Sequence, residues 1–330
     1  MRRIIFFALV FLTFNAFNAV TVHAQYDQTK PEQVLEYPTY FAHSNGISIA
    51  YQDFGDKNDE AILLVMGLGG QLIHWDDDFI AALVDSGYRV IRFDNRDVGL
   101  SEKFYTASTP GLLTGLRYKL GMSLNSPYKL SDMAADGIGL LDHLKIKQAH
   151  VAGISMGGMI AQLMASNYPD RVLSLTSIMS TSGAKTLPEG TLKIENRDRK
   201  NLSREEIIQL GMLTMKAISA KESDQPEDYW YRRSARAYDR SHYDDGFARQ
   251  FWAIADSGDR VEELKSITQP TIVIHGKIDP LIPIVHGRHT AESIANSEFL
   301  ELDDMGHYMA SEHHQRVLDA MLRTMRKASQ

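Results

Sequence analysis

Apolar positions along this chain recur at two periods, and the alternation between those periods lays out the fold. Ile47-Ser48-Ile49-Ala50-Tyr51 alternates apolar and polar and stops short of Gly55, as an antiparallel hairpin strand does. Ala61-Ile62-Leu63-Leu64-Val65-Met66 is apolar without a break, which predicts a strand buried on both faces. The spacing widens to that of a helix over residues 79–86, returns to a strand over 88–93, and widens again over the amphipathic stretch 130–144. The rhythm continues with a strand over 148–152, a helix over 158–165 and a strand over 172–179. It resumes near the C-terminus with a strand at 271–274, a helix at 287–295, a strand at 298–302 and a last helix at 311–326. Strands alternating with helices predict an α/β fold, with a mostly parallel central sheet covered by helices on both faces.

Two stretches break the rhythm. Residues 103–128 are punctuated by Gly, Ser and Pro without a strand pattern, and residues 183–265 read as helical throughout. The second stretch has the length of a helical lid inserted between two sheet strands, so the core is expected over 39–182 and 266–330. Residues 25–38 are polar with two prolines and read as a linker. Before them lies a secretory layout: basic Arg2-Arg3, an apolar run from Ile4 to Leu12, and small residues in Val22-His23-Ala24 before Gln25. That run is too short to span a bilayer, so residues 1–24 predict a signal peptide and an exported protein, periplasmic or secreted, without stable membrane insertion after cleavage.

Charge and cysteine content narrow the partners. The formal net charge of −7 becomes more negative once Arg2 and Arg3 leave, which argues against nucleic acid as a partner and leaves a small molecule as the expected one. The chain has no cysteine, so its stability rests on a large core rather than on cross-links.

The candidate chemistry begins at Gly153-Ile154-Ser155-Met156-Gly157, a G-x-S-x-G between a strand and a helix. On so sharp a turn a serine is forced into strained backbone angles that lift its hydroxyl clear of the sheet. A serine hydroxyl needs a base within hydrogen-bond reach, itself oriented by an acid. Asp279 follows an apolar strand and His307 follows the last strand, in the order Ser, Asp, His. In a parallel sheet those loops emerge on the edge that carries the serine. An Asp-Pro pair also starts turns, but the loop after residues 172–179, the other place for an acid, contains none. Among the other histidines, His313 and His314 fall in a helix and His150 and His275 in strands; His307 alone follows a glycine in a short loop after a terminal strand. The Gly-rich turn Met66-Gly67-Leu68-Gly69-Gly70 assigns an oxyanion hole to the backbone N–H groups of Leu68 and Met156. It does not match the spacing of a phosphate-cradling loop.

These motifs, together with Phe93-Asp94-Asn95-Arg96-Asp97-Val98-Gly99-Leu100-Ser101 and the stretch from His275 to Pro283, resemble the α/β-hydrolase superfamily in its lid-bearing branch. Within that branch they resemble the esterases that include aclacinomycin methylesterase. The resemblance implies Ser155 as nucleophile, His307 as general base, Asp279 as its orienting acid, and Leu68 and Met156 as oxyanion donors. It departs from many members in placing Met66, not histidine, before Gly67. A serine at the elbow sets the chain apart from members that use aspartate there, the dehalogenases and epoxide hydrolases. Asp94 and Arg96 are expected to tie the turn after their strand.

The expected lid is rich in aromatic residues, Phe247 among them, which suggest an apolar pocket for a bulky or aromatic acyl or alkoxy group of a small to medium apolar substrate; Trp230, Tyr231 and Trp252 are the candidates for lining it. Arg232, Arg236 and Arg240 recur at helical spacing, as a solvated face or as partners for a substrate carboxylate. The function expected is hydrolysis of a small-molecule carboxylic ester through an acyl-enzyme on Ser155, with no metal and no organic cofactor. Other readings use the same scaffold: an aminopeptidase of the proline-iminopeptidase kind, for which Glu222 or Glu227 would anchor the substrate amine, perhydrolase chemistry on the same triad, and a ligand-binding receptor without turnover.

Overall fold

Asn45 and Gly46 set the first turn. Their φ angles of 48° and 82° suit a two-residue hairpin loop, which joins β1 (Tyr40–Ser44) to β2 (Ile47–Phe54) in antiparallel register. The hairpin pattern at residues 47–51 is thus confirmed, and its partner is the strand that the sequence pattern missed. Three of the five residues of β1 are exposed, so an edge strand of this kind carries little apolar signal. The computed structural model describes residues 37–109, 124–192, 201–219 and 227–328, with single positions between 110 and 123. The chain separates into a unit Met1–Pro38 and a unit Thr39–Gln330, and every element named here belongs to the second. The expected signal peptide and nearly all of the expected linker lie outside the described residues.

The alternating elements follow: β3 (Ala61–Val65), α1 (Asp77–Asp85), β4 (Arg89–Phe93), α2 (Leu130–His143), β5 (Ala149–Ile154), α3 (Met156–Asn167) and β6 (Val172–Ile178). Between β6 and the next strand the described residues hold only helices, α4 (Arg204–Ser219), α5 (Glu227–Arg240), α6 (Asp244–Ser257) and α7 (Val261–Lys265). The chain then closes with β7 (Thr271–Gly276), α8 (Ile284–Ser293), β8 (Glu298–Leu302) and α9 (Ser311–Ala328). The eight-stranded sheet has the order β1-β2-β4-β3-β5-β6-β7-β8. Its pairs are parallel from β4 to β8 and antiparallel on either side of β2.

Strand β3 shows why helices must cover both faces. All five of its residues are buried, with Leu63 and Val65 in one apolar cluster and Ile62 and Leu64 in another. The first cluster draws Met133, Leu140, Ile160 and Met164 from α2 and α3, and the second draws Phe79, Leu83, Val317 and Met321 from α1 and α9. Each such side chain contributes about 1.5–3 kcal/mol on leaving water.

Ion pairs tie α5 and α6 to the β-strand loops. Arg240 reaches Asp94 at 2.8 Å and also bonds the Gln71 side chain. Arg249 clasps both oxygens of Asp97 at 2.8 and 2.9 Å. Arg233 pairs with Asp76 and donates to the carbonyl of His74 at 2.6 Å. The expectation of a solvated arginine face is therefore corrected for Arg240, which is bound to a fully buried acid. The turn expectation holds for the two residues assigned to it. Asp94 accepts from the N–H groups of Leu72 (2.7 Å) and Leu100 (2.8 Å), and Arg96 pairs with Asp136 at 2.6 and 2.7 Å.

Asp97 and Arg249 are both fully buried, so removing one partner strands a charge in a low-dielectric site. Arg249→Leu is expected to lower folding stability by about 3–5 kcal/mol, read as a shift of the urea midpoint, with the Tyr128 hydroxyl and the Phe104 N–H, which both donate to Asp97, limiting the loss.

Candidate active site

Ser155 sits at φ 55°, ψ −120°, between the end of β5 and the first residue of α3. A side-chain-bearing residue holds that conformation only when its surroundings enforce it. They do so here by close backbone approach. A Cβ on Gly153 would lie 2.1 Å from the carbonyl oxygen of Gly157, and a Cβ on Gly157 would lie 2.1 Å from that of Val65. The Ser155 N–H continues the sheet ladder to Ile178 (2.9 Å), and its carbonyl accepts from the Ser180 hydroxyl (2.8 Å).

The structure brings Ser155, His307 and Asp279 together. His307 Nε2 is 2.9 Å from Ser155 Oγ, and His307 Nδ1 is 2.7 Å from Asp279 Oδ2. His307 comes from the loop between β8 and α9, and its N–H donates to the carbonyl of Ile218 in α4 at 2.7 Å. Asp279 comes from the loop after β7, where its Oδ1 accepts from the N–H groups of Leu281 (2.9 Å) and Ile282 (2.8 Å). Burial of Asp279 works to raise its pKa, but the His307 ring and the nearby His275 more than offset that and hold the carboxyl well below the usual carboxylate range. An ionised Asp279 only accepts, so the proton sits on His307 Nδ1 and Nε2 is left to accept from the serine hydroxyl.

The Gly-rich turn passes directly over the serine. A Cβ on Gly67 would lie 3.2 Å from that of Ser155. Asn95 holds the turn by donating to the Met66 carbonyl at 2.8 Å, and Gln250 of α6 accepts from the Gly69 N–H at 2.9 Å. Gly69 has φ +67°, and the ring of Phe247 packs so closely on it that a Cβ there would lie 2.7 Å away. Met156 opens α3, so its N–H has no partner within the helix. Leu68 follows Gly67 in the turn that faces Ser155.

The aromatic candidates go to three places. Trp230 is buried against Tyr308, the residue after His307, with ring centroids 4.8 Å apart. The Tyr231 hydroxyl donates to Glu205 at 2.8 Å, between α5 and α4. Trp252 packs edge-on against Phe251 within α6. Glu222 and the side chain of Glu227 lie outside the described residues. Phe247 was expected only as one of the lid aromatics, because a helical pattern does not show that its ring seats on the turn at Gly69; the closeness of His275 to Asp279 was not foreseen. Among the described residues no group of three or more His, Cys, Asp or Glu is placed to hold a metal ion.

The chain belongs to the alpha/beta hydrolase fold family, whose model matches residues 60–314. It is similar to rhodomycin D methylesterase DnrP of Streptomyces peucetius, 26% identical over 318 residues that span 88% of this chain and 99% of that protein. It is also similar to 3-oxoadipate enol-lactonase 2 of Acinetobacter baylyi, at 27% identity over 85% of this chain and 94% of the lactonase. Among solved structures, the enol-lactonase of Burkholderia xenovorans shares the fold with a TM-score of 0.65 at 23% identity, covering 87% of this chain and 99% of that one. The resemblance to methylesterase-type α/β-hydrolases read from the motifs is borne out by these likenesses. No helix among the described residues is long and apolar enough to cross a membrane.

Because the folded Asp279 carboxyl has a depressed pKa, it stabilises the fold above the unfolded value near ~4, and that contribution disappears as pH falls. Urea unfolding of wild type and Asp279→Asn between about pH 5 and 2 checks this. The wild type is expected to lose stability more steeply over that interval than the variant does.

Proposed function

We propose that this protein is a serine hydrolase of uncharged carboxylic esters that works through an acyl-enzyme on Ser155. The observation that carries the reading is the continuous chain from Ser155 Oγ through His307 to Asp279, at 2.9 and 2.7 Å. His307 Nε2 takes the hydroxyl proton as Oγ attacks the ester carbonyl. The carbonyl oxygen, now negative, is received by the N–H groups of Leu68 and Met156. His307 then gives its proton to the departing alcohol, and the acyl group remains on Ser155. A water that loses a proton to His307 attacks the acyl carbon, and collapse of the second tetrahedral intermediate releases the acid and restores Ser155. Asp279 stabilises the imidazolium in both halves without being protonated itself.

The similarity to a methylesterase and an enol-lactonase supports ester over amide as the bond cleaved. The helices between β6 and β7 act as the lid, and Phe247, seated on the Gly-rich turn, supplies an apolar wall beside the reacting carbonyl. In the described part of that lid each of Arg204, Arg232, Arg233, Arg236, Arg240 and Arg249 already faces a carboxylate of the protein. That pairing favours a neutral substrate over one that carries a carboxylate. The basic and apolar start of the chain supports export, with the mature protein beginning at Gln25.

Incubation of the mature protein with a fluorophosphonate tests the nucleophile. Labelling is expected in the wild type and not in Ser155→Ala, whose kcat on an aryl acetate should fall about 10⁴-fold or more. Asp279→Asn should label slowly and lose on the order of 10³–10⁴ in kcat. Faster turnover of a proline arylamide than of aryl and methyl esters would overturn the ester assignment, and absence of hydrolysis across an ester and lactone panel would favour a receptor.

A further inference from the structure

We propose that His275 is a positioning residue for the reaction: a buried imidazole that braces the Asp279 loop and stands beside the Asp279 carboxylate oxygen that His307 meets. The inference rests on the reading of Ser155, His307 and Asp279 as the reacting set, and it adds a second histidine that acts through the acid.

His275 lies in β7 and is fully buried. Its Nε2 is 2.8 Å from the carbonyl oxygen of Ile282 and 3.5 Å from Asp279 Oδ2. A carbonyl only accepts, so Nε2 carries the proton and donates it to Ile282, with Asp279 Oδ2 farther off at 3.5 Å. The other nitrogen, Nδ1, is buried with no hydrogen-bond partner. It packs against Gly287 of α8 so closely that a Cβ there would lie 2.4 Å away. A proton on Nδ1 would find no acceptor, so packing leaves Nε2 as the donor. An apolar ring of similar size would fill the same space without stranding a polar atom. What the imidazole adds is its single N–H.

That N–H does two things. It ties the start of the loop after β7 to Ile282, near its end, and so closes the turn whose Leu281 and Ile282 N–H groups hold Asp279 Oδ1. It also lies 3.5 Å from Oδ2, the oxygen that receives His307, where its N–H dipole acts on the carboxylate charge. The carboxylate is thereby held in one rotamer, with part of its charge directed away from His307.

The other titratable groups around His275 are already engaged. From α8, His286 bonds the Thr181 hydroxyl and the Pro188 carbonyl, each at 2.8 Å, and burial pushes its pKa down. His289 of the same helix contacts the Ser182 hydroxyl at 2.9 Å. Glu301, the register partner of His275 on β8, pairs with Arg288 and Lys277. Asp279 and His307 are thus the groups that sense a change at His275.

The test compares His275→Phe and His275→Gln with the wild type, using fluorophosphonate labelling, kcat and KM on an aryl acetate, and the pH profile of kcat/KM. His275→Phe is expected to lower kcat about 10–100-fold with KM nearly unchanged. It should also move the acid limb of the profile to higher pH, because a carboxylate freed of the His275 N–H dipole binds the imidazolium of His307 more strongly. His275→Gln, which keeps an N–H near Ile282, should recover most of the rate. In an Asp279→Asn background, His275→Phe should cost little more, since its effect passes through the acid. An unchanged profile with full additivity in the double variant would overturn the proposal, as would a rate loss explained entirely by a lower urea midpoint. Absence of labelling in the wild type would instead overturn the serine-hydrolase reading itself.

Discussion

The strained turn at Ser155 governs the rest of this structure. A residue with a side chain at φ 55°, ψ −120° costs on the order of 1–3 kcal/mol. The sheet carries that cost because its hydrogen-bond ladder runs through the turn without interruption. Gly153 pairs with Val65 on one side and Ser177 on the other, and the Ser155 N–H extends the same ladder to Ile178. At Gly153 and Gly157 backbone occupies the place of a side chain, so the helix that follows is drawn hard against the strand. The outcome is a serine whose hydroxyl stands at the carboxyl edge of the sheet, where the loops after β3, β7 and β8 can reach it.

Those loops are not held by the sheet alone. The His307 N–H is accepted by the last turn of α4, and Trp230 of α5 packs on the neighbouring Tyr308. The Gly-rich turn receives Gln250 and Phe247 from α6. Arg233, Arg240 and Arg249 fix the same helices to Asp76, Asp94 and Asp97, three acids from the loops after β3 and β4. The helical segment between β6 and β7 therefore sets the positions of the groups around the serine. A substitution on the buried side of α5 or α6 acts on the site through these contacts.

Much of the fold was legible because its core strands announce themselves. Ala61 through Val65 is a continuous apolar run, and the amphipathic spacing of α9 places Val317, Met321 and Met325 on one buried side. The Ser155, Asp279 and His307 positions were legible because each follows an apolar strand in a loop short enough to fix its direction. Strand β1 was not, since an edge strand that exposes three of its five residues has no apolar run to recognise. Arg240 was misread for a related reason. Helical spacing shows which residues share a side, but not that this side lies against Asp94.

The sequence by itself determined the order of the core strands and helices, the place of the Ser155 turn, and the candidates that can meet it, because these follow from local periodicity and from the demands of a tight turn. Tertiary structure alone decided which partners each of those residues meets. His275 illustrates the division: its burial could be read from its strand, but its N–H finds Ile282, and its ring comes beside Asp279, only when the loop after β7 folds back over it. Distances between residues far apart in sequence depend on how helices and loops pack over the sheet edge, and no local pattern encodes that packing.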